Sequence, residues 1–133
     1  MSWRDVQLGG SWEHPVDVAV AMDTESPLAV DMVNLPNAEY LSDLPDGRIV
    51  EVPAVVKDGQ VQGVQVGPLP GQVGALCSQV SDVHELVAEG ATKGDRSLLQ
   101  QAIEIDPAVT DKAAALQALD EMLVAHRDLL PRF

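Results

Sequence analysis

The sequence is poor in aromatic residues, in basic residues and in cysteine. Aromatic side chains make up only 3% of the 133 residues. The core must therefore be aliphatic, and few rings are available to stack on bases or sugars. Eight Lys and Arg stand against 21 Asp and Glu, so the formal net charge is −13. Such a charge disfavours binding to nucleic acid and to anionic membrane surfaces.

The single cysteine, Cys77, cannot form an internal disulfide, which is typical of proteins in a reducing cytosol. No apolar run approaches the roughly 20 residues of a membrane-spanning helix. The first residues also lack the apolar core of a signal peptide. These features predict a soluble, cytoplasmic protein with neither a nucleic-acid nor a membrane partner. Its length allows one domain, which we place at residues 11–133 after a leader at residues 1–10.

The first half of the chain favours strands. Its β-branched runs predict strands at residues 28–33, 48–56 and 61–66. Asp58-Gly59 lies between the last two runs and predicts a tight antiparallel hairpin. Pro53 cannot donate to a β-ladder, so we expect its strand to lie at a sheet edge or to carry a bulge there.

Helical spacing prevails after about residue 71. Three helices are predicted there, at residues 72–90, 95–105 and 111–130. A short buried helix is predicted earlier in the chain, at residues 16–22, with Pro15 in its first turn. Gly90 is expected to end the first long helix, and Asp95 and Thr110 to cap the second and third. The inward stripe of the first long helix is Val73, Leu76, Cys77, Val80, Val83 and Val87. A small antiparallel sheet followed by about three helices is an α+β fold.

The usual catalytic motifs are missing. No Gly-rich dinucleotide motif follows a strand, and there is neither a phosphate-binding loop nor a nucleophile elbow. Cys77 is expected to be a small buried hydrophobe. His84 is two helical turns away and could share a metal with it, but a third ligand is lacking. His126 near a helix C-terminus fits packing or capping.

Two residues before the short helix have an open role. Glu13 and His14 precede Pro15 and could bind a polar ligand at the helix start, although capping explains them equally well. From the residues alone, the sequence indicates only an acidic α+β domain.

Three motifs in the first half resemble one enzyme family. Val33-Asn-Leu-Pro-Asn37, Leu44-Pro-Asp46 and Ile49-Val-Glu-Val-Pro-Ala54 are similar to the V-N-x-P-N, N-L-P-x-D and V-V-E-V-P motifs in the C-terminal region of glycoside hydrolase family 4. Further similarities follow in the same order: Gly67-Pro-Leu-Pro70, Val83-His-Glu-Leu86, Gly94-Asp-Arg96 and Gln101-Ala-Ile-Glu-Ile-Asp-Pro107. The resemblance covers residues 11–133 and implies a domain like the C-terminal domain of lactate and malate dehydrogenases.

The resemblance implies glycosidases that hydrolyse O-glycosyl bonds with NAD and manganese. In this family a hydride passes from the sugar C3 to NAD, a base removes the C2 proton, and the glycosidic bond breaks by elimination. An N-terminal Rossmann domain holds NAD, and a Cys and a His in the middle of the chain hold the metal. Neither segment is found in this sequence, and Cys77 does not match the metal position. We therefore assign no catalytic residue and no metal ligand, and we expect the isolated chain to be inactive.

The resemblance also implies a role beside the sugar. The family's C-terminal region packs on the Rossmann domain, covers the sugar site and takes part in subunit contacts. Asn34 and Asn37, together with Glu13 and His14, are the predicted sugar-binding residues; the alternative for the two asparagines is that they shape the turn around Pro36.

The partner of the chain follows from the same resemblance. The chain is expected to be a fragment, a split subunit or a free-standing descendant of the domain. Its partner would be a companion Rossmann polypeptide or a second copy, joined through the Val-rich sheet or the helix at 72–90. The alternative function is a stand-alone interaction module without catalysis.

Overall fold

The structure, a computed structural model, describes residues 15–133. The elements in chain order are α1 (Pro15–Asp23), β1 (Leu28–Pro36), β2 (Ile49–Lys57), β3 (Gln60–Gly63), α2 (Gly71–Lys93), α3 (Arg96–Ile105) and α4 (Lys112–Ala125). This confirms the predicted α+β class. The described residues form two compact units: unit 1 contains residues 15–35 and Val50–Val66, and unit 2 contains Pro36–Ile49 and Gly67–Phe133.

The predicted hairpin is confirmed. β2 and β3 pair antiparallel, and Lys57 lies opposite Gln60 in the register. The two turn residues have positive φ, 51° at Asp58 and 72° at Gly59. This is the conformation that a two-residue hairpin loop requires, and Asp-Gly is one of the few pairs that adopt it at low cost.

The expected position of Pro53 at a sheet edge is wrong. The strand order is β1-β2-β3, so β2 is the central strand. The proline is tolerated because the neighbouring strand β3 ends at Gly63. Beyond that end, the Val64 amide still donates to the Pro53 carbonyl oxygen at 2.7 Å. The reciprocal hydrogen bond, from residue 53 to Val64, would need a backbone N–H, which Pro53 lacks. For the same reason β3 is shorter than the predicted strand at 61–66.

The core of unit 1 lies on one face of the sheet. Alternate residues of β2 are buried, and Val56 packs there with Val30 of β1 and Ala21 of α1. The prediction that the helix at 16–22 is buried is wrong for most of its residues, because Val16 remains 71% exposed. The helix is apolar at nearly every position, and only one of its faces can meet the sheet.

β1 is longer than predicted and continues to Pro36. The proline restricts Leu35 to extended backbone, which prolongs the strand instead of ending it at Val33.

The expectation that Gly90 ends the first long helix is wrong. α2 continues to Lys93, and Gly94 ends it with a φ of 70°. Gly90 is buried inside the helix, where an added Cβ would lie 2.8 Å from Leu99 Cδ2. The glycine therefore permits the close approach of α3.

Aspartates cap the N-termini of α3 and α4. Asp95 caps α3 as predicted, and its carboxylate accepts from the Ser97 amide at 2.8 Å. The prediction of Thr110 as the cap of α4 is wrong by one residue, because Asp111 accepts from the Ala114 amide at 2.9 Å. Aspartate accepts this bond more strongly than threonine.

The end of α4 also differs from the predicted boundary. α4 ends at Ala125, short of residue 130, because the chain passes into tight turns that begin with a bond from the Leu129 amide to the His126 carbonyl oxygen at 2.8 Å. His126 is the exposed C-cap of the helix.

A lysine from α4 satisfies the carbonyl groups at the end of α3. Lys112 Nζ donates to the carbonyl oxygens of Ile103 at 2.8 Å and Asp106 at 2.6 Å. The last carbonyls of a helix have no partner within the helix and carry partial negative charge, so a cation is favoured there. This contact ties α4 to α3.

Candidate functional site

The predicted sugar-binding residues are found in different places. Glu13 and His14 lie outside the described residues. Asn34 is exposed near the end of β1 in unit 1, and Asn37 is 3% exposed in the loop that follows, in unit 2. The two asparagines therefore have different surroundings.

The side chain of Asn37 organises its own loop. Its Nδ2 donates to the carbonyl oxygens of Leu41, Leu44 and Pro45 at 3.0, 2.8 and 3.3 Å. Its Oδ1 accepts from the Leu41 amide at 3.1 Å. Both ends of the amide are thus engaged, as expected for a buried polar group. This geometry supports the turn-shaping alternative for Asn37, and sugar binding would require these bonds to break.

The main chain of Asn37 closes the same loop. Its amide donates to the Arg48 carbonyl oxygen at 2.7 Å, and its carbonyl oxygen accepts from the Gly47 amide at 2.9 Å. Residues 37–48 therefore form a loop whose two ends are hydrogen-bonded together. Loops closed in this way present side chains in a fixed arrangement.

The loop at 37–48 is anchored to α2 by two charged side chains. Arg48 donates to the Ser81 carbonyl oxygen and to the Asp82 carboxylate, both at 2.9 Å, and lies 3.6 Å from Glu85. Asp43 accepts from the Leu69 amide, just before the start of α2. The first residues of α2 have no side-chain cap of their own, so a carboxylate here is favoured by the helix dipole.

Asn34 lies in an open groove of unit 1. The groove has a volume of about 820 Å³ and runs along β1 beside the start of α1. Its polar lining residues are Asp17, Asp31, Asn34 and Glu51. Among the described lining residues, the charged side chains are all acidic. Carboxylate and amide oxygens accept hydrogen bonds from hydroxyl groups, whereas the same carboxylates repel phosphate.

None of the three carboxylates of this groove was predicted from the sequence as a sugar-binding residue. Asp31 and Glu51 lie on neighbouring strands at exposed positions. The alternating burial of β2 could have placed Glu51 on the exposed side of the sheet. The position of Asp17 depends on how α1 packs, which local sequence patterns do not specify.

Asp95 and Lys93 have shifted pKa values because of contacts that hold the structure together. Hydrogen bonds donated by the hydroxyl and the amide of Ser97 lower the pKa of Asp95. The hydrogen bond and the charge of Glu89 raise the pKa of Lys93. Both groups lie at the junction between α2 and α3, and they stabilise helix ends.

The part of the chain that the structure describes offers no cluster of metal ligands. Within residues 15–133, no three His, Cys, Asp or Glu side chains are grouped so that they could hold a metal ion. Cys77 is partly buried and His84 is exposed.

None of the helices in the described part has the length and hydropathy that crossing a bilayer requires.

Comparison with known proteins gives a consistent result. Residues 2–109 match the profile of the "Family 4 glycosyl hydrolase C-terminal domain". The match begins within the segment predicted as a leader, and that segment lies outside the described residues. The chain is 36% identical to a Bacillus subtilis protein named "Probable 6-phospho-beta-glucosidase" over 78% of this chain and 24% of that protein. It is 32% identical to the alpha-glucosidase of Erwinia rhapontici over 86% of this chain and 25% of that enzyme.

The fold is also found in a solved structure. The 6-phospho-beta glucosidase of Thermotoga maritima, solved with manganese, NAD+ and glucose-6-phosphate, superimposes with a TM-score of 0.74 at 24% identity, covering 86% of this chain and 28% of that one. The chain thus spans about a quarter of the length of these relatives.

Proposed function

The chain belongs to the family of C-terminal domains of family 4 glycosyl hydrolases, and from this membership we propose that it forms the substrate-side and subunit-contact part of a glycosidase that hydrolyses O-glycosyl bonds. The observation that carries the proposal is the profile match over residues 2–109. The lone cysteine, which cannot form an internal disulfide, supports a cytoplasmic location.

In this proposal, NAD and manganese are held by segments other than residues 15–133. Cradling the NAD pyrophosphate takes a strand, a Gly-rich turn and a helix N-terminus, and the sequence offers no such motif. The partner would be the cofactor-binding portion of a family 4 enzyme. The described residues supply a surface that covers the sugar and orients it.

Within this surface, the groove beside β1 is the proposed contact with the sugar. Asn34 supplies both a donor and an acceptor, and the neighbouring carboxylates supply acceptors for hydroxyl groups. Asn37 acts indirectly, since its buried amide holds the loop at 37–48 in shape.

Reconstitution tests the proposal. The chain is produced together with the cofactor-binding portion of a family 4 relative, and hydrolysis of a chromogenic glycoside is measured with NAD and manganese present. We expect activity only when both polypeptides are present. Asn34→Ala should raise KM about tenfold, consistent with the loss of a hydrogen bond worth about 1.4 kcal/mol. The control Gln62→Ala, exposed on β3, should leave KM unchanged.

The isolated chain provides a second test. Calorimetric titration with NAD and with manganese should detect no binding. Micromolar binding of NAD would contradict the assignment of the cofactor to another segment.

A stand-alone interaction module is the second candidate function. Large apolar side chains are exposed on α1, α2 and α4, which is typical of surfaces that bind another protein. The neighbouring DNA discriminates between the two. An adjacent reading frame with a Gly-rich dinucleotide motif and a Cys/His metal pair favours the glycosidase, and its absence favours the module.

A further inference from the structure

A second groove lies within unit 2, between α2, α3 and α4. α4 is held along α3, because Lys112 binds the carbonyl groups that end α3 and Asp120 of α4 pairs with Arg96 at the start of α3. The space between α2 and α4 remains open as a groove. Leu130 and Phe133 line it from the segment that follows α4. We refer to it as the helix groove.

The helix groove has the size and the lining of a small-molecule site. Its volume is about 350 Å³, and its described lining residues are all apolar except Asp106. Sites that bind small ligands have volumes of about 300–1,000 Å³ and combine an apolar lining with a few polar groups. Val87 and Phe133 are 46% and 37% exposed. A ligand of the size of one ring and a short chain would therefore remove apolar surface from water there.

Asp106 gives the helix groove its charge. The carboxylate accepts from the Ala108 amide at 2.8 Å through Oδ1. Lys112 donates to the carbonyl oxygen of Asp106, and no ion pair in the part of the chain that the structure describes includes the Asp106 carboxylate. A carboxylate beside apolar surface attracts an ammonium group, and the net charge of −13 favours cations over anions at any site on this chain.

We propose that the helix groove binds a small amphiphilic cation, with its apolar body between α2 and α4 and its ammonium group at Asp106. Asp106 would repel an acidic ligand. A sugar would lose water from its hydroxyl groups among side chains that offer no hydrogen bonds. The proposal is independent of the glycosidase function proposed above, whose sugar contact lies in unit 1.

Three probes with the same apolar body test the class of ligand. Phenylbutylamine carries an ammonium group, phenylbutanol a hydroxyl group and phenylbutyrate a carboxylate. Each probe is titrated into the isotope-labelled full chain, and its dissociation constant is obtained from the NMR signals of the backbone amides. The amine should bind about tenfold more tightly than the alcohol, and the carboxylate should not bind detectably. The signals that shift should include Leu99, Ala102 and Leu123 of the groove, and Val52 of unit 1 should stay unchanged.

Two substitutions locate the bound probe. Asp106→Asn keeps an oxygen for the Ala108 amide but loses the charge, so the preference for the amine should disappear while the affinity for the alcohol stays the same. Because this change removes only one of 21 acidic residues, a general attraction of cations to the surface would persist. Ala91→Phe adds a ring at the groove and should weaken binding of both probes about tenfold or more. The matched control Ala75→Phe adds a ring to an exposed position of α2 outside the groove lining and should leave both affinities unchanged.

The comparison of the probes on the wild-type chain depends on no variant, and circular dichroism checks that each variant is folded. Binding by none of the probes, equal affinity for the amine and the alcohol, or tighter binding of the carboxylate would overturn the proposal. So would a preference for the amine that persists in Asp106→Asn, or wild-type affinity in Ala91→Phe. The glycosidase proposal is judged separately, by the reconstituted activity of the wild type.

Discussion

The same substitution at two glycines of α2 should change stability in opposite directions. At Gly90, an added Cβ would lie 2.8 Å from Leu99 Cδ2 and 3.1 Å from the Asp95 carbonyl oxygen. At Gly74, the nearest atom would be Asp43 Cγ at 3.5 Å, an ordinary van der Waals distance. The two sites therefore share a helix and a chemical change but differ in the space available.

The expected magnitudes follow from two terms. Alanine is more favourable than glycine inside a helix by about 1 kcal/mol. At Gly74 this gain should be largely realised, so Gly74→Ala should stabilise the fold by about 0.5–1 kcal/mol. At Gly90, overpacking should cost about 2–3 kcal/mol, the upper part of its usual range, and this exceeds the gain of about 1 kcal/mol from helix propensity. The backbone oxygen of Asp95 cannot move without shifting the turn between α2 and α3, so Gly90→Ala should destabilise the fold by about 1–2 kcal/mol.

Thermal and urea unfolding followed by circular dichroism measure both effects. At about 4 °C per kcal/mol, Gly90→Ala should lower Tm by about 4–8 °C, and Gly74→Ala should raise it by about 2–4 °C. The urea m-value should stay constant, because neither change alters the surface exposed on unfolding. If Gly90→Ala proved as stable as the wild type, the close packing of α3 on α2 would be refuted.

Three further outcomes are expected. Asn37→Ala should lower the free energy of unfolding by about 2–4 kcal/mol, because several buried hydrogen-bonding groups lose their partner, and Asn34→Ala should change it by less than about 0.5 kcal/mol. Equal effects in urea unfolding would contradict the different burial of the two side chains. Lys112→Met should cost about 1–2 kcal/mol by the same assay, because the carbonyls that end α3 lose a charged donor. Hydrogen bonds from Ser97 lower the pKa of Asp95 in the folded state, so the ionised carboxylate stabilises the fold. This stabilisation should be complete above the pKa of about 3.9 that an aspartate has in the unfolded chain, and it should be lost as the pH falls through the lower pKa of the folded state. The stability difference between the wild type and Asp95→Asn should therefore shrink in acid, and a difference that grows in acid would contradict the sign of the shift.

Several elements could be predicted from the sequence because their energy is local. The Asp58-Gly59 turn and the Asp95 cap each depend on the conformational and hydrogen-bonding preferences of residues next to each other in the chain. The family could also be identified from short motifs in a fixed order, and the profile match confirms it.

The candidate site could be predicted only in part. Asn34 and Asn37 are the same residue type, three positions apart, and no local pattern separates them. The side-chain amide of Asn37 is buried because the following loop folds back over it and residues as distant as Pro45 accept its hydrogen bonds. Asn34 remains exposed. The carboxylates of the groove come from α1, β1 and β2, so their grouping depends on how these elements pack.

Only the tertiary structure decided which faces are covered. Pro53 lies in a central strand because the neighbouring strand ends beside it, and Gly90 lies inside a helix because another helix crosses there. The stripe of α2 is periodic along its whole length, yet α3 is too short to cover the first turns. Periodicity is a property of one helix and can be read from its residues. Burial depends on the length and position of the neighbour, which are set by residues elsewhere in the chain.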